Sequence, residues 1–285
     1  MNKVAIACIL GLTALASCKE IVTQPALTPS TPSTDTNYMA TVETPQPRVI
    51  AIEEATGMHC SNCPAGAAAI AGIIQANPDR VVAVGMHYGS FAENFEFSDV
   101  DFRSDAARDL FSFFGGEPGG KPAAIIDRIP KDGDIYLFST STWISQANAR
   151  LAVATPANVS LTSVWNEGDS TAQVTVRVAF TQAQTRPVKL TVGMTESDII
   201  APQLNGVNTD SAYTHKHVLR DMLTLASGQQ LMNGQPIEAG RVYQRTFTYK
   251  PNAAWKPEHC ELYAIVHHGD QQGLEVLQAA QTELK

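Results

Sequence analysis

Cys60-Ser61-Asn62-Cys63 is the stretch of this sequence whose residue types and spacing carry the clearest chemistry. Two cysteines three positions apart can close a small disulfide ring, and as a dithiol they can exchange with another disulfide. Val49 to Ala55 ahead of the pair reads as a strand, and Pro64 to Ala76 after it as a helix with Ile70, Ile73 and Ile74 on one face. A strand-to-helix turn places the first cysteine at a helix N-terminus, where the dipole and the free backbone N–H groups favour a thiolate. Cys60 is therefore expected to attack and Cys63 to resolve. Pro64 suits the first helical turn, where a proline costs no hydrogen bond.

Three more residues can serve such a pair. Glu54 lies six positions before Cys60, and strand alternation sends it to the face opposite Glu53. Pro122 opens the strand candidate Ala123 to Asp127, and His59 immediately precedes the first cysteine. In these positions the sequence resembles the thioredoxin superfamily, which keeps a buried acid at the Glu54 spacing and a cis-proline against the active-site sulfurs. The resemblance implies that Glu54 accepts the proton of Cys63 and that Lys121-Pro122 is cis. His59 stands where the superfamily usually has tryptophan, and as a cation it could stabilise a thiolate. The blander readings are a solvated carboxylate at a strand end for Glu54 and an incidental neighbour for His59.

Rival chemistries are weaker. Gly115-Gly-Glu-Pro-Gly-Gly120-Lys121 matches most of a phosphate-cradling loop, yet Pro122 stands where a Ser or Thr is required and a strand follows instead of a helix. His215 and His217 alternate onto one face of a strand candidate, with His259, His267 and His268 in the same region, but the spacing is unspecific for a metal. No metal or other cofactor is called for. Cys260 is the odd thiol, and in Cys260 to Val266 it reads as a small buried hydrophobe. Asp210-Ser211-Ala212 resembles an O-glycosylation acceptor of some Gram-negative surface proteins.

The elements that would position this chemistry begin after an export signal. Lys3 is followed by the uncharged, largely apolar run Val4 to Ala16, too short to span a bilayer. The run closes on Leu15-Ala16-Ser17-Cys18, which resembles the lipobox of bacterial lipoproteins. That resemblance implies removal of residues 1–17 and acylation of Cys18, with the bilayer as a partner. Residues 18–48 then form an acylated N-terminus and a Pro/Ser/Thr-rich tether, because Thr23 to Gln46 has almost nothing to bury. Outside the cytoplasm a Cys60–Cys63 disulfide can persist.

From residue 49 to 155, strand and helix patterns alternate: Val81 to His87 is a buried strand, Phe102 to Phe114 a helix, and Thr140 to Ala154 another helix. From residue 156 the period becomes two, in Val159–Val164, Ala172–Val178, Val188–Val192, His217–Leu223, Val242–Tyr249, Leu262–Val266 and Leu274–Leu277. The expected fold class is α/β plus all-β: a thioredoxin-like domain at 49–155 followed by an immunoglobulin-like β-sandwich at 156–285. The formal charge is −8, and −9 without Lys3, which disfavours nucleic acid as a partner.

The lipobox, Glu53 to Gly66, Pro122 to Arg128 and the strand candidate Tyr213 to Arg220 together resemble the twenty-eight-kilodalton outer-membrane protein family. The resemblance implies an outer-membrane lipoprotein with a thioredoxin-like domain and a β-sandwich, in a family regarded as surface antigens or adhesins. Two functions stay open at this point. One is a thiol-disulfide oxidoreductase of the cell envelope, acting on protein thiols or disulfides. The other is a surface antigen, adhesin or binding lipoprotein whose Cys60–Cys63 disulfide is a local staple.

Overall fold

A computed structural model describes residues 32–285; the signal segment and the lipidation candidate Cys18 lie outside the described residues. The first half supplies β1 (Ser33–Met39), β2 (Ile50–Thr56), α1 (Cys63–Ala76), β3 (Val81–His87), α2 (Asp105–Phe113), β4 (Ala123–Ile126) and α3 (Thr140–Leu151). The second half is almost entirely strand. It runs through β5 (Ala157–Asn166), β6 (Thr171–Phe180), β7 (Val188–Glu196), β8 (Ile199–Asn205) and β9 (Asn208–His215). It ends with β10 (Val218–Met222), the short β11 (Gln229–Gln230), β12 (Arg241–Tyr249), β13 (Cys260–His268) and β14 (Val276–Glu283).

The strands form a 4-stranded sheet in the order β1-β12-β6-β5, an 8-stranded sheet in the order β14-β13-β7-β10-β3-β2-β4 with β11 on β7, and the separate hairpin β8-β9. In the large sheet β2 and β3 are parallel, and β4 runs antiparallel to β2. β10 joins β3 in parallel through Val218 and Gly85, and from there the sheet continues antiparallel into β7, β13 and β14. The sheet thus crosses residue 155 without a break. Gly85 is suited to that junction, since a Cβ there would meet the His217 carbonyl oxygen at 3.2 Å.

Every residue of β2 and β3 is buried, because both faces of this part of the sheet are covered. Ile50, Ile52, Val81 and Ala83 pack against Ile70 and Ile73 of α1 and Trp143, Ala147 and Leu151 of α3. Ala51, Ala55, Val82, Val84 and Met86 face Ala107, Leu110 and Phe111 of α2 on the other side. The third core lies between β5, β6 and β12 of the small sheet and β7 and β13 of the large one. Cys260 sits in it as a free thiol, and burial pushes its pKa up to about 12.

Two segments depart from the sequence reading. Residues 33–39, within the expected tether, form an exposed edge strand paired with β12 from Ser33 opposite Phe247 to Met39 opposite Arg241. Backbone hydrogen bonding to an open sheet edge needs no apolar pattern, so nothing in the side chains announced it. His215 and His217 do not share a strand: β9 ends at His215, His217 has φ 53°, and β10 begins at Val218.

Two buried charge clusters clamp the layers. The Arg128 guanidinium holds the Glu53 carboxylate through two bonds, Nε to Oε2 at 3.0 Å and Nη2 to Oε1 at 2.7 Å. The buried Asp127 carboxylate accepts from Arg48, Arg150 and the Ala51 backbone N–H. Arg48 also donates to the carbonyls of Val276 and Leu277, and Arg150 reaches Glu275, so β14 is tied to the end of β4 and to α3.

Candidate functional site

Cys60 and Cys63 are joined in a disulfide with Cα atoms 5.3 Å apart. The helix starts at Cys63, with Asn62 as N-cap and Pro64 in its first turn. Cys60 therefore lies in the turn three residues ahead of the first helical residue. A turn holds it there: its N–H donates to the Gly57 carbonyl at 3.2 Å, and its own carbonyl accepts from the Cys63 N–H at 3.2 Å. Gly57 is forced by packing, since a Cβ there would meet the Phe91 carbonyl oxygen at 2.2 Å.

Glu54 and Glu53 point to opposite faces of β2. Glu53 is spent on Arg128, whereas Glu54 lies on the α1 side, 6% exposed, with Oε1 bonded to nothing. Burial pushes the Glu54 pKa up to about 8. The Lys121-Pro122 bond is cis. Gly66 of α1 brings these groups together, because a Cβ on it would meet Glu54 Oε1 at 2.5 Å and Pro122 Cβ at 2.9 Å. The carboxyl and the proline thus converge on one point of α1, three residues beyond Cys63. His59 stacks on Phe95 with ring centroids 4.0 Å apart, and its N–H donates to the Phe91 carbonyl.

The hairpin β8-β9 lies across the cysteine turn, which the sequence reading did not foresee. Leu204 N–H donates to the Met58 carbonyl at 2.8 Å, and Gly206 N–H to the Ser61 carbonyl at 3.0 Å. The buried Gln203 amide donates to the carbonyls of Gly57 at 3.2 Å and Cys60 at 3.0 Å. Each of these acceptors is a backbone oxygen of the turn, so the hairpin reads the turn by shape and not by side chain. Under it both cysteines are only 2% exposed. Gly206 was the available signal, since it is the first residue of the two-residue loop Gly206-Val207 and a glycine there suits a tight hairpin turn. The exposed polar run of β9, which includes Asp210-Ser211-Ala212, hid it.

The remaining motifs are accounted for by local structure. The Lys121 ammonium donates to the Tyr88 carbonyl at 2.6 Å and pairs with Glu117 at 2.9 Å, so it is not free to hold a phosphate. His267 bonds Thr191 and the His268 carbonyl inside the fold, away from His215. Among the described residues no three His, Cys, Asp or Glu side chains gather as a metal would need.

The family model for outer membrane protein Omp28 matches residues 117–285, more than half of the chain. The chain belongs to the Omp28 family. It is accordingly an outer-membrane protein. The Omp28 match begins after Cys60, Cys63 and Glu54, so membership says where the protein resides and leaves the disulfide to be judged on its geometry. No curated protein matches the chain. Among solved structures, HBP35 of Porphyromonas gingivalis is similar with a TM-score of 0.63 at 19% identity, over 83% of this chain and 75% of that one. Protein AGR_C_4864 from Agrobacterium tumefaciens is similar with a TM-score of 0.51 at 15% identity, over 84% of this chain and 96% of its own. At such identities the likeness is one of fold. No helix among the described residues is long and apolar enough to cross a membrane.

Proposed function

We propose that this outer-membrane protein is a thiol-disulfide oxidoreductase of the cell envelope, anchored by a lipid on Cys18. In this reading residues 49–155 are a thioredoxin-like unit, and residues 156–285 are an immunoglobulin-like β-sandwich that shares its large sheet. The observation that carries the proposal is the convergence of an unpartnered buried carboxyl, Glu54, and Pro122 on Gly66 of the helix that Cys63 begins. A disulfide that only staples a turn has no use for a costly buried acid beneath its helix.

The exchange runs in either direction. When a substrate thiolate attacks Cys60 Sγ, the Cys60–Cys63 bond breaks and Cys63 leaves as a thiolate. With its pKa near 8, Glu54 is mostly protonated at neutral pH and supplies the proton to that leaving sulfur. The substrate's second thiolate then attacks the mixed disulfide, and the substrate departs oxidised while the protein keeps two thiols. In reverse, Cys60 attacks a substrate disulfide, Glu54 accepts the Cys63 proton, and Cys63 releases the substrate by closing on Cys60. In this reading His59, which precedes Cys60 and stacks on Phe95, favours the Cys60 thiolate when it carries a proton.

Because the hairpin covers the pair, exchange requires β8-β9 to lift from the turn. The same cover is the observation that favours a second reading, an antigen, adhesin or binding protein whose disulfide is structural. Trapping separates the two. Reduced protein carrying Cys63→Ser, mixed with a disulfide-bonded peptide, accumulates a mixed disulfide at Cys60 detectable by mass. The Cys60→Ser protein accumulates none. Equal or absent trapping in both variants rejects the oxidoreductase reading.

A further inference from the structure

Next to the disulfide, α1 and strand β9 enclose a cavity of about 370 Å³ whose floor is the sheet at Glu54, Gly85 and His87. That volume lies within the roughly 300–1,000 Å³ of small-molecule pockets. The walls are mainly apolar, with the small side chains of Ala67 and Ala68 along α1. Alanines leave room that larger residues at these positions would fill.

Two buried residues of this lining, Glu54 and His215, each carry a polar atom without a partner in the protein, Oε1 and Nε2. An unpaired buried polar atom is costly, and two bordering one cavity share the same remedy, a ligand that bonds them. Their protonation specifies what that ligand offers. Burial keeps the Glu54 carboxyl protonated up to about pH 8, so it donates. Burial lowers the His215 pKa to about 4, so the ring is neutral at pH 7. A neutral imidazole carries its proton on one nitrogen, and with the proton on Nδ1 the unpaired Nε2 is an acceptor. A hydroxyl group satisfies both, accepting from one and donating to the other.

The interior also excludes ions. His87 on the floor is held neutral, its pKa lowered to about 3 by burial and by the neighbouring His215. The charged groups that face the cavity are at its rim. There Lys216 is paired with Asp198, and His217 lies 3.7 Å from Glu261. A carboxylate or ammonium head drawn inside would leave water for a largely apolar space whose inner titratable groups, Glu54, His87 and His215, are neutral at pH 7.

We propose that this cavity binds an uncharged amphiphile, a hydrocarbon body lying against α1 and a hydroxyl head between Glu54 and His215. The site stands whether or not the disulfide exchanges, since it is built from the cavity and its two unpaired atoms.

The test uses the full chain with Cys18→Ser, disulfide intact, and the neutral fluorophore N-phenyl-1-naphthylamine as probe. Saturable binding is expected. At pH 7, 1-decanol should displace the probe at a concentration at least tenfold lower than decanoate or decylamine. Ala68→Trp, at an exposed position on the wall, should weaken probe binding tenfold or more while leaving the far-ultraviolet circular dichroism unchanged. Glu54→Leu should keep the probe but bring decanol to within threefold of decane. Absence of saturable binding, displacement by decanoate as effective as by decanol, or unaltered binding in Ala68→Trp would overturn the proposal. None of these readouts involves thiol exchange, so the oxidoreductase reading can fail without them.

Discussion

Replacing Glu54 by Gln exchanges a buried acid for a neutral side chain of nearly the same shape, and its effect on stability must change with pH. In the unfolded chain the carboxyl ionises near 4.5, whereas in the fold burial raises it to about 8. Below pH 4.5 both states hold the proton and Glu54 contributes its full stability. As pH rises the unfolded chain releases its proton while the fold keeps it, so stability falls by about 1.4 kcal/mol per pH unit. The loss is about 3 kcal/mol at pH 7 and levels off at about 5 kcal/mol above pH 8. Against a total of roughly 5–15 kcal/mol for a folded domain, that is a large fraction. Glu54→Gln lacks the slope. Urea titrations of both oxidised proteins at pH 5, 7 and 9 measure the difference between them. Acid destabilisation from the buried His87 and His215, whose pKa values are lowered to about 3 and 4, acts alike on both and cancels. The expected stability advantage of Glu54→Gln widens by about 4 kcal/mol from pH 5 to pH 9. A difference that stays constant across that range would refute a buried, unpartnered Glu54 and the proton role built on it.

Other perturbations test the remaining parts. Gln203→Ala removes the amide that bonds the Gly57 and Cys60 carbonyls, and dithiothreitol should reduce the disulfide roughly five- to thirtyfold faster, for about 1–2 kcal/mol of lost closure. An unchanged rate would mean that the hairpin does not guard the pair. Arg128→Met strands the Glu53 carboxylate in the core and should cost about 3–5 kcal/mol in urea, while the double change Glu53→Leu with Arg128→Met should recover most of it. If single and double variants are equally unstable, the guanidinium acts through packing and not through charge. Cys18→Ser should move the protein from the membrane to the soluble fraction of a cell extract, and retention in the membrane fraction would remove the lipid anchor.

The parts of this site legible in sequence were those governed by local periodicity. Val81 to His87 is apolar enough to read as a doubly covered strand and is one. Pro64 and the isoleucines announced α1, and alternation alone separated the paired Glu53 from the unpaired Glu54. The illegible parts rest on backbone pairing between distant segments. β10 reaches β3 through Val218 and Gly85, residues 133 positions apart, and so carries the sheet of the first half into the second. β1 pairs by its backbone along an exposed edge, and its side-chain links to β12, Asp35 with Arg245 and Asn37 with Arg241, are polar contacts that follow no apolar pattern. Besides the Gln203 amide, the hairpin meets the cysteine turn through the N–H groups of Leu204 and Gly206, which every non-proline residue possesses. Such contacts leave no residue-type signature, and here they decide whether the sulfurs meet solvent.

The central claim is that Cys60 and Cys63 are a working redox couple, and its reduction potential tests that directly. Equilibration of the full chain with glutathione mixtures, quenched with acid and resolved by alkylation and mass, gives the potential of this one pair. An exchanging couple should lie above about −300 mV, within the range of thiol-disulfide enzymes, whereas a value well below about −300 mV would identify an inert structural bond and contradict the account.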